Sequence, residues 1–371
     1  MERDDAPLRA PDAVLVAVTA ALVAIGLAMV FSASSVTAYM NYHDSLYFLK
    51  RQVMWLAVGG LAAFVALRCD YRRLKPLAPF MLLASVVGLL LVFVPHVGVV
   101  ANGAKRWLGG GAFGFQPSEF TKLALVLYLA SALASKGERI RSVVHGLFPL
   151  CFVSGVLFLL VLFEPDLGTA SLLAFTTAAM LFAAGARIVH LVSIGLMMIP
   201  PLVIFVCSRA YRRDRILAFL DPWKDSQNTG FHIVQSLLAL GSGGPLGLGL
   251  GFSRQKFEYL PEQFTDFIFA ILGEELGLIG TTAVVALFVL FAYRAVKIAL
   301  GAPDRFGFFL AIGCMSMIVI QALINIGVVT SSWPVTGVPL PFISFGGSSL
   351  VVCLVAVALL VNVGRHRRAP T

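Results

Sequence analysis

Long apolar stretches alternate with short polar clusters along this chain. Each apolar stretch is too long for the core of a soluble domain. A run of about 18 or more apolar residues, coiled at about 1.5 Å per residue, is long enough to cross a bilayer. The pattern predicts spanning helices at 13–36, 50–67, 77–95, 118–135, 144–163, 166–184, 187–207, 264–296, 306–331 and 341–363. Only one polar gap is long, residues 208–263. The expected fold is an all-α integral membrane protein of about ten transmembrane helices, one polytopic domain over 1–371. The large loop lies between helices seven and eight. Its first part, RDRILAFLDPW, mixes Arg213 and Arg215 with Ile216, Leu217, Phe219 and Leu220. That pattern suits a short amphipathic helix in the headgroup region. Its second part, FHIVQSLLALGSGGPLGLGLG, starts helix-like and ends in glycines. A re-entrant segment fits, buried in protein or lining a wet cavity.

Composition agrees. Hydrophobic residues make up 59% of the 371, charged ones only 13%, against roughly 25% charged in soluble domains. Mean hydropathy is +0.90. The net charge of +9 sets orientation rather than nucleic-acid binding, because no basic cluster stands with stacking aromatics in a water-exposed domain. Arg68, Arg72, Arg73, Lys75, Lys136, Arg139, Arg141, Arg187, Arg294, Lys297, Arg305, Arg365, Arg367 and Arg368 all fall on one side of the predicted helices. That side is expected to be the cytoplasm, with both termini there and the long loop outside. Cys69, Cys151, Cys207, Cys314 and Cys353 lie in or beside apolar runs without CxxC spacing and read as small core residues. The first apolar run is too long for a signal peptide and should remain a helix.

Charged groups inside membrane spans are expensive and need a reason. QPSEFTKL sets Glu119 and Lys122 three apart, on one helical face, as a substrate-facing pair or an interfacial ion pair. FEPDLGTA places Glu164 and Asp166 about a proline. They cap the next helix or hold a divalent cation through hard oxygen ligands. YLPEQFTDFIFAILGEELG brings Glu262 and Asp266 to the start of the eighth helix, with Glu274 and Glu275 deeper. The latter two read as structural, because Gly273 and Gly277 beside them invite close packing. WPVTGVPLPFISFGGSS breaks helix at Pro334, Pro339 and Pro341, as backbone lining a cavity does.

These groups, with Lys105–Arg106 and the long loop, all fall at the outer ends of their helices. A transporter would more often keep its polar groups near the midplane. There is no Walker loop, GxGxxG or HExxH, so no nucleotide or organic cofactor is expected. Bond formation on the outer face needs a substrate that carries its own leaving group. A lipid-linked pyrophosphate does so: its tail lies between helices and its diphosphate meets Arg and Lys. A carboxylate would take the proton from the attacking hydroxyl. On chemistry alone Asp266 ranks narrowly above Glu119, Glu164 and Asp166.

SRQKFEYLPEQFTDFIFAILGEELG, QPSEFTKL, EPDLGTA and PVTGVPLPFISFGGSS resemble the SEDS family of shape, elongation, division and sporulation proteins, and the resemblance runs over essentially the whole chain. Within it the motifs look closest to the division members, then the sporulation members, with the elongation members less similar. Gln263–Phe264 stand where the family often has Ala-His, and Phe345 where Tyr is common. The resemblance implies a peptidoglycan glycosyltransferase that polymerises lipid II with inversion. It implies a class B penicillin-binding protein transpeptidase and other divisome membrane proteins as partners. The implied location is the bacterial cytoplasmic membrane, enriched at the division septum. Asp266 matches the catalytic aspartate, and Glu119 and Lys122 match the PSExxK motif. Lys105, Arg106, Arg213, Arg215, Gln235, Glu262, Ser344 and Ser348 are further candidates for substrate contact. Glu164 and Asp166 are candidate ligands for Mg2+ or Mn2+. The rival expectations are a lipid II flippase and a non-catalytic scaffold for a transpeptidase.

Overall fold

A computed structural model describes residues 9–101, 104–109, 114–208, 210–257 and 259–366. Arg367 and Arg368, used above for orientation, lie outside the described residues. The described chain is mostly helical. In order, the helices are α1 (Ala13–Tyr42), α2 (Tyr47–Arg68), α3 (Leu74–Phe93), α4 (Pro117–Lys136), α5 (Phe148–Phe163), α6 (Leu167–Ala183) and α7 (Ile188–Cys207). They continue as α8 (Ala210–Leu220), α9 (Phe231–Gly243), α10 (Ile268–Leu300), α11 (Arg305–Val329) and α12 (Gly347–Arg365). Eight stretches among the described residues are long and apolar enough to cross a membrane. α4, with Glu119 and Lys122 near its start, and the shorter α6 pack against α11 between them.

α11 and α12 are the most enclosed of the spans and α7 the least. Large apolar side chains such as Phe80, Val189, Met197 and Ile204 cover the periphery. In water this would be an aggregation surface; against acyl chains it is the normal outer face of a span. Small residues let the central helices close up. A Cβ on Gly313 would meet Val126 and Met180 at 2.5 and 2.9 Å, so α11 comes near the α4 and α6 side chains at that point.

One end of the bundle is tied by charges. Asp12 caps α1 through the Leu15 amide and pairs with Arg294 of α10 at 2.5 Å. Tyr71, after α2, donates to Asp304 before α11, which also meets Arg72 at 3.3 Å. Asn362 of α12 donates to the carbonyls of Ala66, Leu67 and Cys69 that end α2. The Arg9 amide donates to Arg365 at 2.9 Å, so the two ends of the described chain meet.

The long loop contains both expected pieces, the short helix α8 and the helix-then-glycine segment, here α9 and the turn after it. The glycine segment enters a break in α10. At Gly277 the backbone leaves helical geometry (φ 66°, ψ −163°). The freed groups are met by the incoming chain: Leu248 and Gly249 amides donate to Glu274 and Glu275 carbonyls, both at 3.0 Å. Leu278 and Ile279 amides donate to Gly244 and Pro245 carbonyls, at 2.9 and 3.2 Å. A broken helix at membrane depth survives only where its polar backbone is satisfied in this way. The two deep glutamates lock the stitch. Glu274 accepts from Ser253, the Arg254 amide and the Gln255 amide. Glu275 accepts from Ser32 of α1 at 2.7 Å and faces Lys256 at 3.7 Å. Their structural reading holds, and Gly273 and Gly277 give the close packing expected of them: a Cβ on Gly277 would lie 2.3 Å from the Gly247 nitrogen.

Three features differ from the sequence reading. Cys69 and Cys207, expected as core residues, are exposed at the ends of α2 and α7. α10 begins at Ile268, so Asp266 precedes the helix instead of sitting in its first turn. The polar stretch before α4 forms a hairpin, β1 (Gly98–Ala101) antiparallel to β2 (Ala104–Leu108), which reads as loop when only helical periodicity is sought.

Candidate active site

Four of the motif clusters converge at the end of the bundle opposite the Asp12–Arg294 pair. They are the turn before α10, the start of α4, the α5–α6 turn and the chain 334–346 before α12.

The turn 262–267 is held by its own residues and from outside. Glu262 takes a left-handed backbone (φ 53°), and its carbonyl accepts from the Thr265 and Phe267 amides. Its carboxylate accepts from the Thr265 hydroxyl at 2.7 Å. Three successive carbonyls then receive donors from the C-terminal part of the chain. Phe264 accepts from the Phe345 amide at 2.9 Å, Thr265 from Ser344 Oγ at 2.5 Å and Asp266 from Asn325 Nδ2 at 2.7 Å. Asp266 itself keeps part of its surface accessible, as a group that must meet a substrate needs. Burial around it, then the negative charges of Glu262 and Asp166, push its pKa up to about 7, against the pull of Arg106 and Arg215. Gly337 (φ 71°) lies against the carboxylate: a Cβ there would come 3.4 Å from Oδ2.

Glu119 and Lys122 form a buried ion pair at 2.7 Å, and Lys122 also donates to Gln321 Oε1 of α11 at 2.7 Å. That bond fixes the amide the other way round, so Gln321 Nε2 donates to the Pro339 carbonyl at 2.9 Å and to Ser349. One turn along α11, Asn325 Nδ2 donates to Val338 at 2.8 Å as well as to Asp266. Ser344 also accepts from the Leu340 amide, and Ser348 from the Gln116 amide. Both serines lie in this network.

Across the site, Asp166 caps α6 by accepting from the Thr169 amide and hydroxyl, both at 3.0 Å, and Gln116 reaches it at 3.4 Å. Glu164 is buried, and both its oxygens lack a protein partner. Burial and the nearby Asp166 raise its pKa to about 8, opposed by Arg106. Arg106 of β2 donates to the carbonyls of Glu164 and Pro165, tying the hairpin to this turn. Lys105, next on the strand, points to the opposite face and is exposed. Arg215 of α8 lines a small cleft with Pro165 and Pro334 and acts on Asp266 by its charge. Arg213, two residues away on the same helix, faces elsewhere and is exposed. Gln235 sits half-buried on α9. The structure therefore brings Asp266, Glu262, Asp166, Glu164, Arg106 and Arg215 together, with Glu119, Lys122, Ser344 and Ser348 packed behind them. Lys105 and Arg213 stand apart.

Several buried groups at this end lack a protein partner, among them the Glu164 carboxyl, the Thr336 hydroxyl, Asn325 Oδ1, Gln263 Oε1 and Ser118 Oγ. Each such group costs about 1–3 kcal/mol, so several together mark where water, an ion or substrate belongs. Among the described residues, no three His, Cys, Asp or Glu side chains gather to hold a metal. Glu164 and Asp166 fit the sparser demand of Mg2+, which takes one or two carboxylates and leaves the rest to water and phosphate.

Gln321 and Asn325 were not among the residues expected from sequence. Their signal was present: two amides four apart in an otherwise apolar span. The two departures noted above meet in space, since Phe264 and Phe345 pack edge-to-face at 5.9 Å with Phe48 beside them.

The family profile described as cell cycle protein, covering FtsW, RodA and SpoVE, matches residues 12–369. The chain belongs to this FtsW/RodA/SpoVE family. It is 48% identical to the stage V sporulation protein E of Bacillus subtilis over 96% of this chain and 98% of that protein. It is 45% identical to a probable peptidoglycan glycosyltransferase FtsW of Geobacter sulfurreducens over 97% of this chain and 96% of that protein. Among solved structures, it is similar to a chain of a peptidoglycan synthase complex, described for structural coordination of polymerization and crosslinking. The TM-score is 0.78 at 31% identity, covering 96% of this chain and 98% of that one. The Thermus thermophilus rod shape determining protein RodA gives a TM-score of 0.72 at 30% identity, over 97% and 99% of the two chains. Family and fold together make this a multi-pass membrane protein.

Proposed function

We propose that this chain is a peptidoglycan glycosyltransferase that polymerises lipid II on the outer face of the bacterial cytoplasmic membrane, for septal wall synthesis in cell division. The observation that carries the reading is Asp266, a carboxylate with its backbone clamped and its pKa near neutrality, facing basic groups at one end of a membrane bundle. Identity to named FtsW glycosyltransferases supports it. The single polytopic domain crosses the bilayer ten times once α4 and α6 are counted, with both termini and the basic turns in the cytoplasm.

Asp266 takes the proton from the sugar 4-hydroxyl of an incoming lipid II. That oxygen attacks the anomeric carbon of the growing chain. The bond from that carbon to the diphosphate breaks, and undecaprenyl pyrophosphate leaves with the electron pair. Displacement from the opposite face turns an α-linked donor into a β-linkage. The proton stays on Asp266 until water removes it. Arg106 and Arg215 stabilise the charge on the leaving diphosphate. Lys105 and Arg213, apart from the site, meet lipid headgroups, and Gln235 and Glu262 meet sugar. Glu119, Lys122, Ser344 and Ser348 shape the wall behind. A divalent cation held by Glu164 and Asp166 would neutralise diphosphate charge when bound. The partners under this reading are a class B penicillin-binding protein transpeptidase and other divisome membrane proteins, as the synthase-complex neighbour suggests.

The test is lipid II supplied to proteoliposomes carrying the chain and its transpeptidase. Glycan polymer supports the reading. Transbilayer movement of lipid II without polymer would replace it with a transporter, and neither one would leave a scaffold.

A further inference from the structure

Asn325 occupies a peculiar place in this bundle. It is 1% exposed, and the two hydrogens of its single NH2 group go to two different segments. One goes to the carbonyl of Asp266, the other to the carbonyl of Val338. Val338 follows Gly337, the residue whose backbone lies against the Asp266 carboxylate. One amide thus joins the main chain of the acid to the wall that its own side chain faces.

The rest of the wall is held from the same helix. Gln321, one turn away, holds Pro339, and its oxygen is held in turn by Lys122 of the Glu119 pair. Leu340 and Thr265 are bridged by Ser344. Together the links join chain 337–344 to chain 264–266 and to α11, and α11 to α4. None of these side chains needs to touch a substrate for the distance across the site to depend on them.

We propose that Asn325 is a positioning residue: it fixes Asp266 against the 337–340 wall, and the Glu119–Lys122–Gln321 chain fixes that wall from behind. The proposal rests on the reading of Asp266 as the base. A base displaced by about 1 Å can lose on the order of 100-fold in rate, because proximity and orientation are most of what it contributes. Loss of Asn325 should therefore act on turnover and leave substrate affinity in place.

The molecule contains its own control. Asn362 is 2% exposed and donates through Nδ2 to three carbonyls, but at the other end of the bundle. Asn325→Ala and Asn362→Ala remove the same chemistry from equally buried places. Asn325→Ser, which keeps one donor, guards against a poorly folded alanine variant.

The experiment takes the full chain with its transpeptidase in proteoliposomes. It measures kcat and KM for lipid II, and hydrogen exchange of peptides covering 262–270 and 334–345. The expected result for Asn325→Ala is a kcat about 100-fold lower with KM within about twofold, and faster exchange in both peptides. Asn325→Ser should fall between it and wild type. Asn362→Ala should keep kcat within about twofold and loosen 66–74 instead. Asn325→Ala matching Asn362→Ala in kcat would overturn the proposal, as would unchanged exchange at 262–270. The exchange arm does not depend on activity. If wild type makes no polymer, the glycosyltransferase reading fails alone, and exchange still decides whether Asn325 holds the two segments together.

Discussion

Gly277→Ala tests the stitch between α10 and the glycine segment. The residue sits at φ 66° and ψ −163°, a region open to glycine and closed to side-chain-bearing residues. Forcing alanine into it costs about 1–3 kcal/mol in backbone strain alone. The new Cβ would also meet the Gly247 nitrogen at 2.3 Å, the Leu246 carbonyl carbon at 2.7 Å and the Pro245 oxygen at 2.7 Å. All three are backbone atoms and cannot swing aside. Relief requires moving the 244–249 segment, which gives up the four hydrogen bonds that bridge the break, each worth about 0.5–1.5 kcal/mol net. The sum is a loss of about 3–9 kcal/mol, near the full stability of many domains. Thermal unfolding of the purified chain in detergent reads it. Gly60→Ala is the control, because a Cβ there meets nothing within 4 Å and alanine favours a helix. Gly277→Ala unfolding within about 1 kcal/mol of Gly60→Ala would refute the reasoning.

Three further outcomes follow from the site. Asp266 must be ionised to take a proton, and its pKa is raised to about 7, so kcat/KM should fall as the pH drops through about 7; an ordinary carboxylate would keep the rate level down to roughly pH 5. Lys122→Met leaves Glu119 buried without its partner and should cost about 3–5 kcal/mol in thermal unfolding, most of it recovered when Glu119→Gln is added. Glu164 ionises near 4.5 when unfolded and near 8 when folded, so the wild type loses stability as the pH rises between those values. Glu164→Gln escapes that loss: in chelated samples at pH 7 it should be more stable than wild type by on the order of 3 kcal/mol, with the gap closing toward pH 4.5.

Periodicity made most of the architecture legible. Helices need no distant partner for their backbone bonds, so an apolar run in this chain predicts its own structure; most spans start and stop near the expected residues, while α1 runs on to Tyr42 and α12 starts only at Gly347, after the proline-broken chain. The helix in 210–220 and the helix-then-glycine segment after it were readable for the same local reason. The break at Gly277 was only half readable. GEELG announced close packing, but which backbone would enter depended on a segment some thirty residues earlier in the chain. The hairpin was not readable, because four or five residues without strict alternation carry little strand signal.

At the site, the acids stood out because charge in an apolar context is conspicuous. What sequence could not give was which polar groups meet one another. Glu119 and Lys122 look alike as a substrate contact or as an internal pair until Gln321 is seen between them and the 337–340 wall. Arg213 and Arg215 look equivalent in RDRIL, yet only Arg215 lines the cleft. Asn325 was passed over because a lone amide in a span draws less notice than a charge. Its position becomes informative only when Asp266 and Val338 are brought to either side of it by the fold.

The most direct test of the account replaces Asp266 with asparagine, which keeps the size and removes the base. Lipid II polymerisation is followed in proteoliposomes with the transpeptidase present, after thermal unfolding and partner binding have shown the variant to be intact. The account predicts glycan strands from wild type and none from Asp266→Asn. Equal polymer from both would contradict it, because the account gives the proton transfer to the Asp266 carboxylate alone.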